Sequence, residues 1–185
     1  MVAGNPVRIQ RRLVCENSRF FVYLDDWRDQ NKHARDYLVV APKVASAQFV
    51  TGVGVLPVCD EKVGLLRVFR HAIETECWEI PRGFVEPDES EITSALRELH
   101  EETGLSCDAS ETESLGFVAP DPGILAARVH LFAARRCERV EAYTPKEFGH
   151  QEFRWFSRQE IDALIARSEI QDPCTLTAYF KYFNR

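Results

Sequence analysis

Three glutamates, Glu98, Glu101 and Glu102, fall within five positions of the stretch "GFVEPDESEITSALRELHEETGL", residues Gly83–Leu105. Carboxylates at that density repel one another and weaken a helix. The surrounding pattern nevertheless predicts one. Asp88 and Glu91 have the spacing of a capping box after Pro87, and Gly104 is a natural C-terminal stop. The predicted helix runs from about Glu89 to Thr103, with Ile92, Ala95, Leu96, Leu99 and Thr103 as its buried stripe. At about 100° per residue, Glu102 lies roughly 40° from Glu98, and Glu101 roughly 60° to the other side. The carboxylates therefore border the apolar stripe, and Arg97 offsets only part of their charge. A solvated acidic face would point away from that stripe. A hard divalent cation takes a few carboxylates, keeps waters and bridges to phosphate, so this array predicts a Mg²⁺ site for phosphate chemistry.

The rest of the chain bounds the setting. Its 185 residues fit one generous domain, and 45% are apolar, enough for a core. The net charge of −6 argues against a nucleic-acid or anionic-membrane binder. No run of eighteen apolar residues predicts a membrane span, and the first residues lack the apolar core of a secretory signal. Six cysteines show neither a CxxC pair nor a histidine cluster, which predicts reduced thiols in a cytoplasmic protein.

Strands are expected at "FFVYL" and "YLVVA", then in the hairpin "QFVTGVGVLPV"/"VGLLRVFR" joined by "CDEK". "CWEI", "SLGFVA", "ARVHLFAARR" and "QEFRWFS" follow as further strands. Two late helices are predicted: one capped by Ser157 with Glu160 at the third position, and one begun by Asp172–Pro173. Strands interleaved with a few helices predict an α+β fold.

Gly83, five residues, Glu89, seven residues, then "RELHEETGL" resembles the signature of the Nudix hydrolases in full. At ordinary residue frequencies a chance match is below about one in a million. The resemblance runs from about Gln48 to the C-terminus. It implies an α/β/α sandwich around a mixed sheet and a reaction that cleaves a nucleoside diphosphate linked to another group. It also implies that Glu98, Glu101, Glu102 and the backbone carbonyl of Arg82 bind Mg²⁺ or Mn²⁺. Glu89 and Arg97 would brace the loop against the helix, and Gly83 would allow the loop's sharp turn. Catalytic candidates are Glu102 and a general base, for which Glu147 in "PKEFGHQE" is preferred over Glu101 and Glu152.

"VFRHAIETECWEIPRGFVE" resembles the ADP-ribose and sugar-nucleotide pyrophosphatase branch. By that likeness Arg70 would contact a phosphate and Glu79 a ribose or sugar hydroxyl. The turn "PDPG" departs from the branch: Asp121 replaces a serine, and Ala127 stands where an acidic residue is usual. ADP-ribose is therefore one nucleotide sugar among several. Dinucleotides, oxidised nucleoside triphosphates and a non-catalytic sensor on the same fold are the alternatives. The branch pairs through an extra N-terminal sheet, so residues 1–45 are read as a dimerising β extension and residues 46–185 as the hydrolase domain, with a homodimer expected. The five histidines show no ligand spacing and read as structural or surface residues, His150 with the most room for a role near the Glu147 loop.

Overall fold

The structure is a computed structural model and describes residues 5–44 and 48–184. The boundary expected at residues 45 and 46 lies outside the described residues. The chain forms two compact units: Met1–Thr51 with Ala119–Arg128, and Gly52–Val118 with Val129–Arg185.

The first unit holds an antiparallel three-stranded sheet of β1 (Val7–Glu16), β2 (Phe20–Arg28) and β3 (His33–Pro42), in that order. The β1–β2 turn is tied by Asn17, whose side-chain oxygen accepts from the N–H groups of Arg19 and Phe20 at 2.8 and 2.7 Å. The strand β1 is absent from the sequence reading. Its run "VRIQRRLVCE" carries three arginines. The neighbouring strands hold them: Arg11 bonds the fully buried Asp25 at 2.8 and 2.6 Å, and Arg12 bonds Asp26 at 3.2 Å. "FFVYL" therefore lies in the central strand of this sheet. The segment carrying the "PDPG" turn joins the same unit, and just after the turn Val40 donates to the Ile124 carbonyl and accepts from Ala126, each at 2.9 Å.

The second unit is a seven-stranded sheet between helices. It contains β4 (Val50–Cys59), β5 (Lys62–Arg70), β6 (Thr75–Glu79), β7 (Arg82–Phe84), β9 (Thr112–Val118), β10 (Arg128–Arg135) and β12 (His150–Phe156). The order is β12-β5-β4-β10-β9, with β6 on β5 and β7 on β4. The expected hairpin forms: Asp60 and Glu61 both have positive φ, as a two-residue turn demands. Its strands then part, β4 to pair with β7 and β5 with β6. A minor ladder joins β8 (Leu105–Ser106) to β11 (Glu138–Arg139).

Three helices cover the sheet: α1 (Glu91–Thr103), α2 (Arg158–Ala166) and α3 (Pro173–Phe183). Side chains alternate across the strands, so two cores form. Leu56, Leu131 and Ala133 pack with Ile161, Leu164 and Ala178 of α2 and α3. Val53, Val55, Phe132 and Ala134 pack with Ala95 and Leu99 of α1. Buried on both faces, β4 is a continuous apolar run. The expected caps of the late helices are present, with the Ser157–Glu160 capping box closed in both directions and Asp172 accepting from the Thr175 N–H.

One expectation about α1 is corrected. Its N-cap is Ser90, whose hydroxyl accepts from the Thr93 N–H at 3.2 Å, and the helix begins at Glu91. Asp88 lies in the preceding turn. The supposed box residue Glu91 instead reaches His130, and Glu89 accepts from Ser94 and Arg97, so neither closes a box on Asp88.

Candidate active site

The box helix aims its glutamates unequally. Glu98 and Glu102 are each only 6% exposed, whereas the side chain of Glu101 is 54% exposed. The two buried carboxylates lie over β7. Glu102 accepts a 2.9 Å hydrogen bond from the backbone N–H of Arg82. Glu98 lies over Gly83, where an added Cβ would come within 2.2–2.5 Å of the carboxylate atoms. Gly83 sits within a paired strand, opposite Val53, and is not among the residues with positive φ. Its glycine is thus required by the close approach of Glu98, not by the sharp turn expected for it.

Arg97 gathers the loop onto the helix. Its guanidinium donates to Glu89 at 3.0 and 3.2 Å, to Glu98 at 2.7 Å, to Glu101 at 3.0 Å and to the Phe84 carbonyl at 3.1 Å. Gly104 ends the helix with φ 70°, and a Cβ there would meet the Glu141 carbonyl at 2.5 Å.

Residues distant in sequence complete the cluster. Ligand atoms of Glu102, Glu147 and His150 all lie within 4.8 Å of one another. His150 Nε2 is 3.6 Å from Glu102 and 3.8 Å from Glu147. The sequence placed His150 near the Glu147 loop but gave no sign of Glu102 beside it, because Glu102 lies on another element. Burial pushes the His150 imidazole down, toward the neutral form that ligates metals. Burial pushes the Glu98 and Glu102 carboxyls up, Glu102 well up, and the Glu147 charge adds to both. Glu152, the other late acid, lies apart on β12, 3.5 Å from Arg67.

Beneath this cluster runs a buried ionic chain. Glu79, 2% exposed, accepts from Arg70 through both oxygens and from Arg82 at 3.0 Å. Arg82 also reaches Asp172 at 3.2 Å. Asp172 accepts from Thr175, whose hydroxyl accepts from the Ile80 N–H at 3.0 Å. The strand-to-loop segment 79–82 is thereby fixed to the start of α3. Trp78 is core, edge-on to Phe156 at 4.7 Å.

The donor set fits a divalent cation. Glu102 and Glu147 share a cluster with His150, the Glu147 charge bears on both Glu98 and Glu102, and Arg97 donates to Glu98. The buried Tyr143 hydroxyl has no hydrogen-bond partner among the described residues and feels the Glu102 charge. Crowded carboxylates and an orphaned hydroxyl call for a positive centre with its own oxygen ligands.

Comparison with known proteins agrees with this architecture. The NUDIX domain family matches residues 48–177, and the chain belongs to that family. It is 32% identical over 133 residues to the ADP-sugar pyrophosphatase of Mus musculus, covering 69% of this chain and 60% of that protein. It is 35% identical over 102 residues to an ADP-ribose pyrophosphatase of Bacillus subtilis, covering 55% and 53%. The matched region thus spans somewhat over half the length of these relatives. The crystal structure of an ADP compounds hydrolase superposes with a TM-score of 0.81 over 100% of this chain and 95% of that one, at 17% identity. The fold is the α+β Nudix sandwich expected.

Proposed function

We propose that the chain is a divalent-metal-dependent pyrophosphohydrolase of the ADP-ribose and sugar-nucleotide type. It would cleave the diphosphate of a nucleoside diphosphate linked to another moiety, giving a mononucleotide and a phosphorylated product. The observation that carries this reading is the buried carboxylate of Glu102, whose ligand atoms lie within 4.8 Å of those of Glu147 and His150, beside the buried carboxylate of Glu98 over Gly83 of β7. The relatives named ADP-sugar and ADP-ribose pyrophosphatases support the substrate class.

Glu98, Glu102 and the Arg82 carbonyl would hold Mg²⁺ or Mn²⁺, with Glu101 at the exposed rim and His150 beside Glu102. A bound divalent cation supplies neutralisation of the diphosphate charge and acidifies water. Glu147, 60% exposed on its side chain, is free to accept the proton of the attacking water, with Glu101 as the second candidate. Arg70, held through Nε and Nη2 by Glu79, would offer its remaining Nη1 donors to a phosphate. Glu79 would act chiefly as the anchor of Arg70, since its oxygens are already engaged by two guanidinium groups. Arg97 and Glu89 hold the loop that presents Gly83. Free thiols fit a reducing compartment, and no helix among the described residues is long and apolar enough to cross a membrane.

The test is a screen of ADP-ribose, ADP-sugars, GDP-sugars, dinucleotides and oxidised nucleoside triphosphates for Mg²⁺- or Mn²⁺-dependent release of a mononucleotide. Turnover of a nucleotide sugar, lost by orders of magnitude in Glu102→Gln with the circular dichroism spectrum unchanged, is the expected result. No turnover of any of these substrates with either metal would overturn the reading.

A further inference from the structure

The ladder of β8 and β11 leads directly into two cysteines, Cys107 after β8 and Cys137 before β11. Its pairs are Leu105 with Arg139 and Ser106 with Glu138. The same register continued by one residue sets Cys107 opposite Cys137. Side-chain alternation puts Cys107 on the face of Leu105, and both Leu105 and Cys137 belong to the core beneath α1, with Cys107 packed against it. The sulfurs reach consecutive carbonyls at the end of β10: Cys137 Sγ lies 3.3 Å from the Ala134 oxygen and Cys107 Sγ 3.1 Å from that of Arg135.

The type of pair also matters. The Val140 N–H donates to the Gly104 carbonyl at 3.0 Å. Alternation along an antiparallel ladder then makes Leu105–Arg139 and Cys107–Cys137 the non-hydrogen-bonded positions, where Cα atoms approach to about 4.5 Å. That separation lies inside the range of roughly 4.4–6.8 Å that a disulfide spans.

We propose that Cys107 and Cys137 form an oxidisable cross-strand dithiol, closed to a disulfide by a hydroperoxide. The half-exposed Cys107 meets the oxidant first, because Cys137 is buried and burial pushes its thiol well up. The Cys107 thiolate attacks a peroxide oxygen. The O–O bond breaks, the departing oxygen takes a proton, and Cys107 becomes a sulfenic acid. The Cys137 sulfur then attacks the Cys107 sulfur. The S–S bond forms, the S–O bond breaks, and hydroxide leaves as water with the Cys137 proton. Two thiols thus lose two electrons to one peroxide. The bond would fasten the ladder from which the Glu147 loop departs: Val140 and Glu141 both donate to the Gly104 carbonyl, and Arg139 donates to the Thr103 carbonyl at 3.2 Å.

The test treats the full chain with stoichiometric hydrogen peroxide, blocks the remaining thiols and maps linked peptides by mass spectrometry. A Cys107–Cys137 peptide, removed by dithiothreitol and accompanied by a reversible rise in melting temperature, is expected. In Cys137→Ser the sulfenic acid on Cys107 should persist and be trapped by dimedone, and in Cys107→Ser no linked peptide should form. Oxidation that links Cys137 to the neighbouring Cys59 instead, or that leaves residues 107 and 137 unlinked while other thiols react, overturns the proposal. These readouts do not depend on the hydrolase assignment.

Discussion

A methyl group at residue 83 would sit 2.2–2.5 Å from the carboxylate atoms of Glu98. Those atoms are the far end of a flexible side chain, so the backbone need not move and the carboxylate would. Gly83→Ala should therefore keep the fold, within a few degrees of melting temperature, while turnover falls by about 10²-fold, the cost of a misplacement near 1 Å. Kinetics and a thermal melt on the same preparation check this, and a variant equally impaired in both would show that residue 83 serves the fold and not the site. Glu79 gives a prediction in pH. Burial alone would raise its carboxyl, but Arg70 and Arg82 outweigh burial and hold it below its ordinary value of 4.5. The folded chain binds that proton less readily than the unfolded chain, so the stabilisation is complete above the ordinary value and is lost as pH falls through the lower folded one. Glu79→Gln removes the charge that faces Arg70 and leaves Arg82 with Asp172 alone, and should cost about 3 kcal/mol at pH 7. Urea unfolding of both proteins at pH 7 and again near pH 3 should show that deficit shrinking, and a constant deficit would assign it to lost packing.

At the scale of elements, α1 owes its start to one hydroxyl. Ser90→Ala should cost about 1 kcal/mol of stability, whereas Asp88→Ala should cost little, because only Ser90 accepts from the first helical turn. Equal losses in denaturant titrations would restore Asp88 as a cap. This helix was legible in the sequence because its signals are local: a 3.6-residue apolar stripe, a glycine stop and the charge cluster itself. Its cap was misread because Asp88 and Glu91 have the local spacing of a box, while in the fold Ser90 is the cap and Glu91 goes to His130 on β10. The strands β1 and β7 were not legible for related reasons. Arginines 8, 11 and 12 break any apolar alternation in β1 until Asp25 and Asp26 of β2 neutralise them. In β7, three residues carry no periodicity, and its glycine answers to a glutamate fifteen positions later. His150 was marked only by its nearness to Glu147, and its proximity to Glu102 was not legible because Glu102 lies on α1 and His150 on β12.

For the molecule as a whole, the remaining question is what covers β1. This edge strand carries the exposed apolar side chains Val7, Ile9, Leu13 and Val14. Edge strands usually guard themselves with free charge. Here Arg11 and Arg12 are spent on Asp25 and Asp26, so the charges that would repel another chain are internally neutralised. An apolar, unguarded edge is a template for association, and a two-fold pair is the commonest way for identical chains to close it. The chain is therefore expected to run in solution at twice its 21.2 kDa mass. Leu13→Glu places a charge in that surface twice per dimer and, being exposed in the monomer, should leave folding intact. Sedimentation equilibrium should show self-association weakened at least about tenfold, with an unchanged circular dichroism spectrum. A wild-type chain that sediments as a monomer at micromolar concentration would remove the dimer. A Leu13→Glu dimer of undiminished strength would move the interface away from β1.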